Sequence, residues 1–344
     1  MGIDFHTLGV GRALYISREN SLYIARRYHI YRSDDGGNTW RLDCYVPSAG
    51  WKPLAAKIRL AARLLRYAIA AMEVLPDGTR IAVARDGIYR AAPGETRMTR
   101  VFQITRGSRP LNLAVDGNRV LFGEYGDAYR DCEAFIYVSE DGGKTFDVGY
   151  RFPAGSIRHV HGVQVDPHQD GYWVLVGDSD QQSGIGVLAK DLRTLEWLNR
   201  GSQQCRAVRV LIEPDCLVYG TDSDREKNFI VRMDKKNGEV SRILPVEGSS
   251  LHAAAFGPVR VVSTCVEPNP ESPSQECSLY ASWGTCEWRR VATYQKDRHH
   301  PTLFQFGTLV LPYAYGDEPC GIFSGQAVKL GDDRVSFVEF SPEE

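Results

Sequence analysis

Two segments of this sequence are near copies of each other, and an internal repeat constrains a fold more strongly than any other sequence feature. HIYRSDDGGNTW covers residues 29–40, and FIYVSEDGGKTF covers residues 135–146. Both match the pattern S-x-D-x-G-x-T-W/F. In this pattern the Asp accepts backbone N–H bonds within a hairpin turn, the Gly supplies a positive φ, and the aromatic side chain packs between neighbouring sheets. The matching residues are Ser33, Asp35, Gly37, Thr39 and Trp40 in the first segment, and Ser139, Asp141, Gly143, Thr145 and Phe146 in the second.

Short strands of the same character recur along the rest of the chain. They are GIYRA at 87–91, IGVLA at 185–189, FIVRM at 229–233, SLYAS at 278–282 and GIFSG at 321–325. With Ile30, Ile88, Ile136, Val187, Ile230, Leu279 and Ile322 as anchors, the steps are 58, 48, 51, 43, 49 and 43 residues. Each step is long enough for a four-stranded sheet, and sheets repeated around one axis form a β-propeller. We therefore predict an all-β, seven-bladed propeller that spans 1–344 as a single domain, and we expect the last strand, near RVSFVEF, to close the ring against the N-terminus.

The two sharp motifs resemble the Asp-box (BNR) repeats of the sialidase-like β-propeller superfamily. That superfamily includes glycoside hydrolases, some polysaccharide lyases and non-catalytic members, so the resemblance implies a carbohydrate ligand. True sialidases also carry an Arg-Ile-Pro motif near the start, an arginine triad and a Tyr–Glu nucleophile pair. The sequence contains no Arg-Ile-Pro, so a strict sialidase is not expected.

One segment departs from the β pattern. Residues 53–72, PLAAKIRLAARLLRYAIAAM, have helical periodicity. The apolar face carries Leu54, Ile58, Ala61 and Leu65, and the basic face carries Lys52, Arg59, Arg63 and Arg66. We predict a helical insertion at about 53–68, between the first and second blades. It is expected to pack on the propeller rim; the alternative is peripheral contact between the basic helix and a membrane surface.

Composition limits the partners and the compartment. The net charge of −2 provides no basic field for nucleic acid. The sequence contains no run of 18 apolar residues, so no transmembrane segment is predicted, and the N-terminus lacks the pattern of a signal peptide. The eight cysteines form no CxxC pair, which argues against a zinc site. We therefore expect a cytoplasmic protein with reduced thiols, and we assign no metal and no cofactor.

The topology of a four-stranded blade places many polar residues on one face. The Asp-box turns mark one face of the propeller, whereas inner strands begin and second strands end on the opposite face, beside the central channel. In this set the segments RHVHG, GDSD and YGTDSD are the strongest candidates for a functional site. Asp224 is interpreted as a turn residue. The candidate catalytic residues are His161, Asp178, Asp222 and Glu124. The candidate substrate-binding residues are Arg109, Asn112, Tyr125, Arg158, His159, Asp180, Gln204, Arg206, Tyr219, Glu226 and His252.

Three functions are compatible with this set. In a glycoside hydrolase acting on an oligo- or polysaccharide, Glu124 or Asp178 protonates the leaving oxygen and Asp222 acts as base or nucleophile, while arginines hold an acidic sugar. In a polysaccharide lyase, His161 or Tyr219 abstracts the proton next to a uronate carboxylate that an arginine neutralises, either Arg158 or Arg206. The third function is a non-catalytic, sugar-binding propeller.

Overall fold

The computed structural model describes residues 1–47, 58–84, 86–126 and 132–342, and its regular structure is almost entirely β. Two short helices are α1 (Arg59–Leu64) and α2 (Pro301–Phe304). The strands before residue 160 are β1 (Gly2–Val10), β2 (Arg12–Ile16), β3 (Leu22–Arg26), β4 (His29–Ser33), β5 (Arg41–Tyr45), β6 (Ala71–Val74), β7 (Arg80–Ala84), β8 (Gly87–Ala91), β9 (Thr99–Gln103), β10 (Ala114–Asp116), β11 (Arg119–Gly123), β12 (Ala134–Ser139), β13 (Asp147–Phe152) and β14 (His159–Val165). The strands that follow are β15 (Tyr172–Gly177), β16 (Gly184–Leu188), β17 (Leu195–Arg200), β18 (Leu211–Ile212), β19 (Cys216–Gly220), β20 (Asn228–Asp234), β21 (Val240–Val246), β22 (Ser250–Phe256), β23 (Val259–Val266), β24 (Glu276–Trp283), β25 (Trp288–Gln295), β26 (Gly307–Val310), β27 (Tyr313–Ala314), β28 (Cys320–Gln326) and β29 (Arg334–Ser341).

Five sheets are separate blades, and the remaining strands form one larger sheet. The first blade is β2–β5, with β27 added in parallel to β2; the second to fifth blades are β6–β9, β10–β13, β14–β17 and β18–β21. The other strands, β22–β26 together with β28, β29 and β1, are hydrogen-bonded into one eight-stranded sheet. The prediction of an all-β propeller is confirmed.

The prediction of seven separate blades is wrong. β23 pairs with β26, through Cys265 opposite Thr308 and Val266 opposite Gly307, which joins strands that the spacing assigned to two blades. Pro301–Phe304, shortly before β26, form a short helix instead of a strand. Proline at the first turn of a helix favours that start. Without an inner strand before it, β26 has an open edge that β23 occupies.

The ring closes as expected. β1 runs antiparallel to β29, from Gly2 opposite Ser341 to Val10 opposite Arg334. The N-terminal strand therefore completes a sheet made by the C-terminal end of the chain, and the next residues lead directly into the inner strand of the first blade.

The two repeated segments form the predicted hairpins, which connect β4 to β5 and β12 to β13. In the second, Asp141 Oδ1 accepts from Ser139 Oγ at 2.8 Å and from the Thr145 N–H at 3.0 Å. The corresponding distances in the first are 2.7 Å and 2.9 Å. Phe146 contacts Phe102 of the second blade and Phe122 of the third, with ring centroids 6.0 Å and 5.3 Å apart. The aromatic residue thus packs between neighbouring sheets.

The helical insertion is present, but it is shorter than predicted, and part of its predicted basic face is buried. Residues 53–57 of the prediction lie outside the described residues; α1 covers Arg59–Leu64, and β6 begins at Ala71. Arg63 is 2% exposed and forms an ion pair with Asp297, whereas Leu64 is 47% exposed. Arg63 of the predicted basic face is therefore used inside the protein, whereas Arg66 of the same face is exposed. Within the described residues, no helix has the length and apolar character needed to cross a membrane.

Candidate functional site

Two histidines of the inner strand β14 lie side by side at the channel end of the fourth blade. His159 and His161 are 3% and 2% exposed, and their Nε2 atoms are 3.1 Å apart. The ladder between β14 and β15 shifts register between Val160 and Gly162, and such a bulge re-aims the side chain it contains, here His161. Gly177 on β15 makes room for this ring, because a Cβ atom there would lie 2.4 Å from His161 Cε1.

Asp178 follows β15 and is the centre of the cluster. Its Oδ1 atom lies 3.1 Å from His161 Nε2 and 3.4 Å from His159 Nε2. Its Oδ2 atom lies 2.7 Å from Arg158 Nη1, and Arg206 Nη2 lies 3.4 Å from Oδ1. One carboxylate therefore contacts two imidazoles and two guanidinium groups.

Arg206 links Asp178 to the fifth blade. It follows a 3₁₀ turn at Gln203–Cys205, and its Nε and Nη1 atoms lie 3.4 Å from Asp222 Oδ2 and 2.7 Å from Asp224 Oδ1. Although burial opposes the charge, the three aspartates raise the pKa of Arg206. Asp224, interpreted from the sequence as a turn residue, is thus an ion-pair partner within the site.

The hydrogen bonds of the histidines restrict where each neutral ring carries its proton. His161 Nδ1 lies 3.0 Å from the carbonyl oxygen of Ala207, and His159 Nδ1 lies 3.4 Å from that of Gly126. A carbonyl oxygen and a carboxylate both only accept, so a neutral ring, which carries a single N–H, can donate to its carbonyl partner or to Asp178 but not to both. Burial lowers the pKa of His161 to about 4, with the charges of His159 and Arg206 acting in the same direction and Asp178 opposing them. His161 is therefore neutral at pH 7.

The two aspartates next to His161 differ in protonation. Burial acts to raise the pKa of Asp178, but hydrogen bonds from His159 and His161 hold it well below its usual range. Asp222 is 4% exposed, and burial raises its pKa well above the usual range despite Arg206. Its Oδ1 atom has no hydrogen-bond partner among the described residues, and its Oδ2 atom lies 3.4 Å from Arg206 Nε and 4.0 Å from His161 Nδ1. Asp178 is thus the anion of the pair, and Asp222 is the acid.

His159, His161 and Asp178 are also the described residues that could hold a metal ion. One ligand atom from each lies within 4.8 Å of the others. Nitrogen and carboxylate ligands of this kind suit several divalent transition metals.

Several predicted site residues meet this cluster. The Tyr125 ring centroid lies 4.3 Å from that of His159, and burial, together with the charge of Asp178, raises the pKa of Tyr125. Asp180 Oδ1 accepts from Gln203 Nε2 at 2.7 Å. The predictions of Arg158, His159, His161, Asp178, Arg206, Asp222, Tyr125 and Asp180 thus fall on one connected group of side chains.

The QQC turn directs the side chain of Gln203, rather than that of the predicted Gln204, towards the aspartates. Gln203 Nε2 donates to Asp178 O at 3.0 Å and to Asp180, whereas Gln204 contributes only backbone hydrogen bonds, including one from the Tyr219 hydroxyl. Both glutamines precede the inner strand of the fifth blade, and only the path of the 3₁₀ turn decides which one faces the site.

Glu124 does not join the cluster. Its carboxylate accepts from Arg106 Nη2 and the Phe135 N–H, both at 3.0 Å, and from the Tyr137 hydroxyl at 3.2 Å. Burial raises the pKa of Glu124, and these hydrogen bonds act against that rise.

Three other candidates are structural or lie apart. Tyr219 is fully buried and donates to a backbone carbonyl, which corrects its assignment as a base. Asn112 is 4% exposed, bonds to the Val163 backbone, and would crowd a Cβ atom at Gly162. Glu226 is exposed, and its described hydrogen bonds are made by its backbone.

Arg109 and His252 belong to a second group of charges around the channel. Arg109 lines a cavity together with Arg12. Burial and the positive charges of Arg209 and Arg12 lower the pKa of His252 well below its usual range. Arg12 and Arg209 were not among the predicted site residues. Both stand at the start of inner strands, but neither is next to one of the motifs from which site residues were predicted.

Comparison with known proteins shows the fold and leaves the family open. No protein-family model matches the chain, and no curated protein matches its sequence. Virginiamycin B lyase from Staphylococcus aureus, solved as a catalytically inactive histidine-to-alanine variant with quinupristin, is similar with a TM-score of 0.61 and 10% identity over 99% of this chain and 100% of its own. The WD40 β-propeller domain of Doa1 has a TM-score of 0.57 and 10% identity over 100% and 98%. The GH74 enzyme of Niastella koreensis has a TM-score of 0.56 and 15% identity over 83% of this chain and 46% of its own, so this chain spans about half of that enzyme. The class of protein is therefore the β-propeller.

Proposed function

We propose that this chain is a polysaccharide lyase that cleaves an acidic saccharide by β-elimination at the cluster of His159, His161 and Asp178. The observation that carries the proposal is the buried, neutral His161, whose Nε2 atom lies 3.1 Å from Asp178 Oδ1. The Asp-box resemblance supports a carbohydrate ligand, and the similar lyase supports the fold as a scaffold for elimination.

The proposed base is His161. It takes the proton from the carbon next to the uronate carboxylate, and the imidazolium that forms is stabilised by Asp178, as a buried carboxylate does for a catalytic histidine. As that C–H bond breaks, a C=C bond forms and the bond to the glycosidic oxygen breaks. Tyr125 donates the proton that the leaving oxygen takes up, because its raised pKa keeps the phenol protonated.

The proposed electrostatic partner of the substrate carboxylate is Arg158. Its side chain is 25% exposed, compared with 6% for Arg206, so it is the more accessible guanidinium at the cluster. Neutralising the carboxylate stabilises the negative charge that develops as the proton leaves. Because both imidazoles are buried, we expect substrate binding to displace the Arg158 or Tyr125 side chain from its position above them.

The test is an assay of the full chain against a panel of uronate polysaccharides, followed by the ultraviolet absorbance of the unsaturated product. We expect His161→Gln to lower kcat by about 10²–10⁴-fold, the usual contribution of a general base. His29→Gln is the matched control, because His29 is an exposed histidine on β4 in the first blade. Saccharide binding without any product, or a His161→Gln variant as active as the wild type, would contradict the proposal.

The pH profile gives a second test of the same role. A base with a pKa of about 4 is unprotonated over the whole neutral range, so kcat/KM should stay high as the pH is lowered and fall only near pH 4. Each assay is repeated with a chelator and with added divalent metal. Activity that the chelator abolishes and metal restores would assign the histidines to metal binding and remove His161 as the base.

Glycoside hydrolysis is a second candidate, favoured by one observation. Asp178 and Asp222 flank Arg206 with pKa shifts of opposite sign, and such a divergence separates a general acid from a base or nucleophile. Here the acid would be Asp222 and the ionised partner Asp178, the reverse of the sequence-based assignment. The same assay distinguishes the two reactions, since hydrolysis yields reducing ends without the absorbance of an unsaturated uronate.

A further inference from the structure

A cavity lined by arginines lies between the first blade, the eight-stranded sheet and α1. Its volume is about 30 Å³, and it is partly open to solvent. Its lining includes Gly11 at the start of the first blade, Gln326 at the end of β28, and Tyr67 after α1. The arginines that line it are Arg12, Arg59, Arg63, Arg66 and Arg109. We call this space the arginine cavity.

Two of these arginines are neutralised by carboxylates. Arg59 makes a bidentate contact with Asp332, at 2.8 Å and 2.7 Å, and Arg63 forms an ion pair with Asp297. These pairs anchor α1 to the loops that follow β25 and β28. Asp333, the acidic residue that lines the cavity, has its Oδ1 atom 3.6 Å from Arg59 Nη1, and burial raises its pKa.

Arg12 has a neutral hydrogen-bond partner instead. Its Nη1 atom donates to Gln326 Oε1 at 2.6 Å, and its buried Nε atom has no hydrogen-bond partner among the described residues. Burial lowers the pKa of Arg12 to about 9, and the charges of Arg109, Arg59 and Arg209 act in the same direction against Asp333. A guanidinium stays protonated at neutral pH, so this shift means that the folded protein holds a destabilised cation here.

Arg209 extends the positive charge across the channel. Its Nη1 atom donates to the carbonyl oxygens of Ala253 and Pro312 at 3.2 Å and 3.0 Å, and its guanidinium lies 3.8 Å from the Tyr313 ring centroid. All of these partners are neutral. The low pKa of His252, which follows from burial and from Arg209 and Arg12, shows the same positive field from a different position.

We propose that the arginine cavity binds an oxyanion, the carboxylate or sulfate group of an acidic saccharide or its phosphorylated equivalent. Guanidinium groups bind such planar or tetrahedral oxyanions through paired N–H donors, which here are supplied by Arg12 and Arg109. The bound anion balances the charge of Arg12, whose hydrogen-bond partner in the protein is neutral. This binding stands apart from the cleavage chemistry, because His161 and Asp178 do not line the cavity.

The experiment measures anion binding to the full chain by calorimetry and by the shift of Tm. Inorganic sulfate, inorganic phosphate and glucuronate are each compared with chloride at equal ionic strength. We expect at least one of the three to bind saturably, and the Arg12→Gln variant to bind it at least tenfold more weakly. The anion that binds best identifies the group: glucuronate indicates a carboxylate, and sulfate or phosphate indicates the corresponding ester.

Matched variants make the result decisive. Arg119→Gln is the control, because Arg119 is a partly buried arginine paired with Glu140 at the start of β11 and does not line the cavity. It should bind the anion as the wild type does, and so should His161→Gln, which separates this test from the test of cleavage. If Arg12→Gln does not fold, Arg109→Gln takes its place. Equal binding by the arginine variant and the wild type, or no preference for any oxyanion over chloride, would overturn the proposal.

Discussion

Two groups of buried charge lie at the same end of the channel, and they are balanced in different ways. In the cluster of the fourth and fifth blades, Arg158 and Arg206 contact ionised Asp178, and Arg206 also contacts Asp224. In the arginine cavity, Arg59 and Arg63 are paired with Asp332 and Asp297, but Arg12 bonds to an amide. Arg209, outside the cavity lining, bonds to carbonyl oxygens. Charge is therefore compensated inside the first group and left in excess in the second.

This difference distinguishes a site suited to proton transfer from a site suited to binding an anion. A buried ion pair loses several kcal/mol when one partner is removed, because the other charge remains without compensation. A buried cation with neutral partners already bears that cost in the folded protein. Substitutions in the two groups should therefore change stability in opposite directions.

The largest effect is expected at Asp178. Asp178→Asn removes the anion shared by Arg158 and Arg206, and it should lower the free energy of unfolding by about 3–5 kcal/mol. Asp222→Asn is the matched variant in the same cluster. Because Asp222 is the protonated partner, its amide replacement should cost no more than about 1 kcal/mol. Urea denaturation of both variants at pH 7 measures the difference, and equal losses would mean that the two aspartates share the charge.

Glu73 tests whether Arg209 has an ionised carboxylate near it within the protein. It is 1% exposed on β6 and accepts from the Tyr315 hydroxyl at 2.9 Å, and burial raises its pKa to about 8 while that hydrogen bond and Arg209 oppose the rise. The folded state keeps this proton while the unfolded chain loses it above pH 4.5. The stability present below pH 4.5 is therefore lost progressively as the pH rises to about 8, by about 1.4 kcal/mol per pH unit.

Glu73→Gln provides the comparison for this pH dependence. The variant cannot ionise, so the wild type should lose stability relative to it between pH 4.5 and 8, which urea denaturation at several pH values measures. Parallel stability curves would show that Glu73 is ionised and supplies Arg209 with an internal counter-charge, and the contrast between the two groups would be smaller than described.

The sequence predicted the first group far better than the second. Spacing and alternation placed His159 and His161 at the mouth of an inner strand, and topology brought them to Asp178 and Arg206. These inferences depend on strand periodicity, which is local. Blade count depends on which edges pair, and it went wrong where Pro301 starts a helix and leaves β26 open to β23.

The arginine cavity depends on contacts that no local pattern records. Arg12 meets Gln326 across 314 positions of sequence, and Arg59 meets Asp332 across 273. The helical pattern correctly located α1 but assigned its arginines to solvent, because amphipathic reasoning does not foresee buried ion pairs. Glu124 lies outside the cluster for a related reason. Its carboxylate accepts hydrogen bonds from Arg106 and Tyr137, and these contacts could not be predicted from the strand topology.

The hairpins formed by the two repeated segments provide a reference away from both groups. Asp141 accepts from the N–H groups of Lys144 and Thr145 and from two hydroxyl groups, those of Ser139 and Thr145. Asp141→Ala should lower the free energy of unfolding by about 1–2 kcal/mol, as for the loss of a capping side chain. Cleavage and anion binding should be unchanged. A loss of either function would show that the two faces are coupled and that stability differences alone cannot separate the two charge groups.

The smallest expected effect has the opposite sign. Arg12→Gln removes a cation whose hydrogen-bond partner is an amide, so it should raise the free energy of unfolding of the anion-free protein by up to about 1 kcal/mol. Glutamine retains a donor for Gln326, which limits the loss of hydrogen bonding. The stabilisation should disappear in saturating oxyanion, because only the wild type gains from the bound charge. Denaturation with and without the oxyanion measures both changes in the free energy of unfolding in one experiment. A variant less stable than the wild type in chloride would show that the charge of Arg12 is balanced by a group within the protein, as that of Arg206 is.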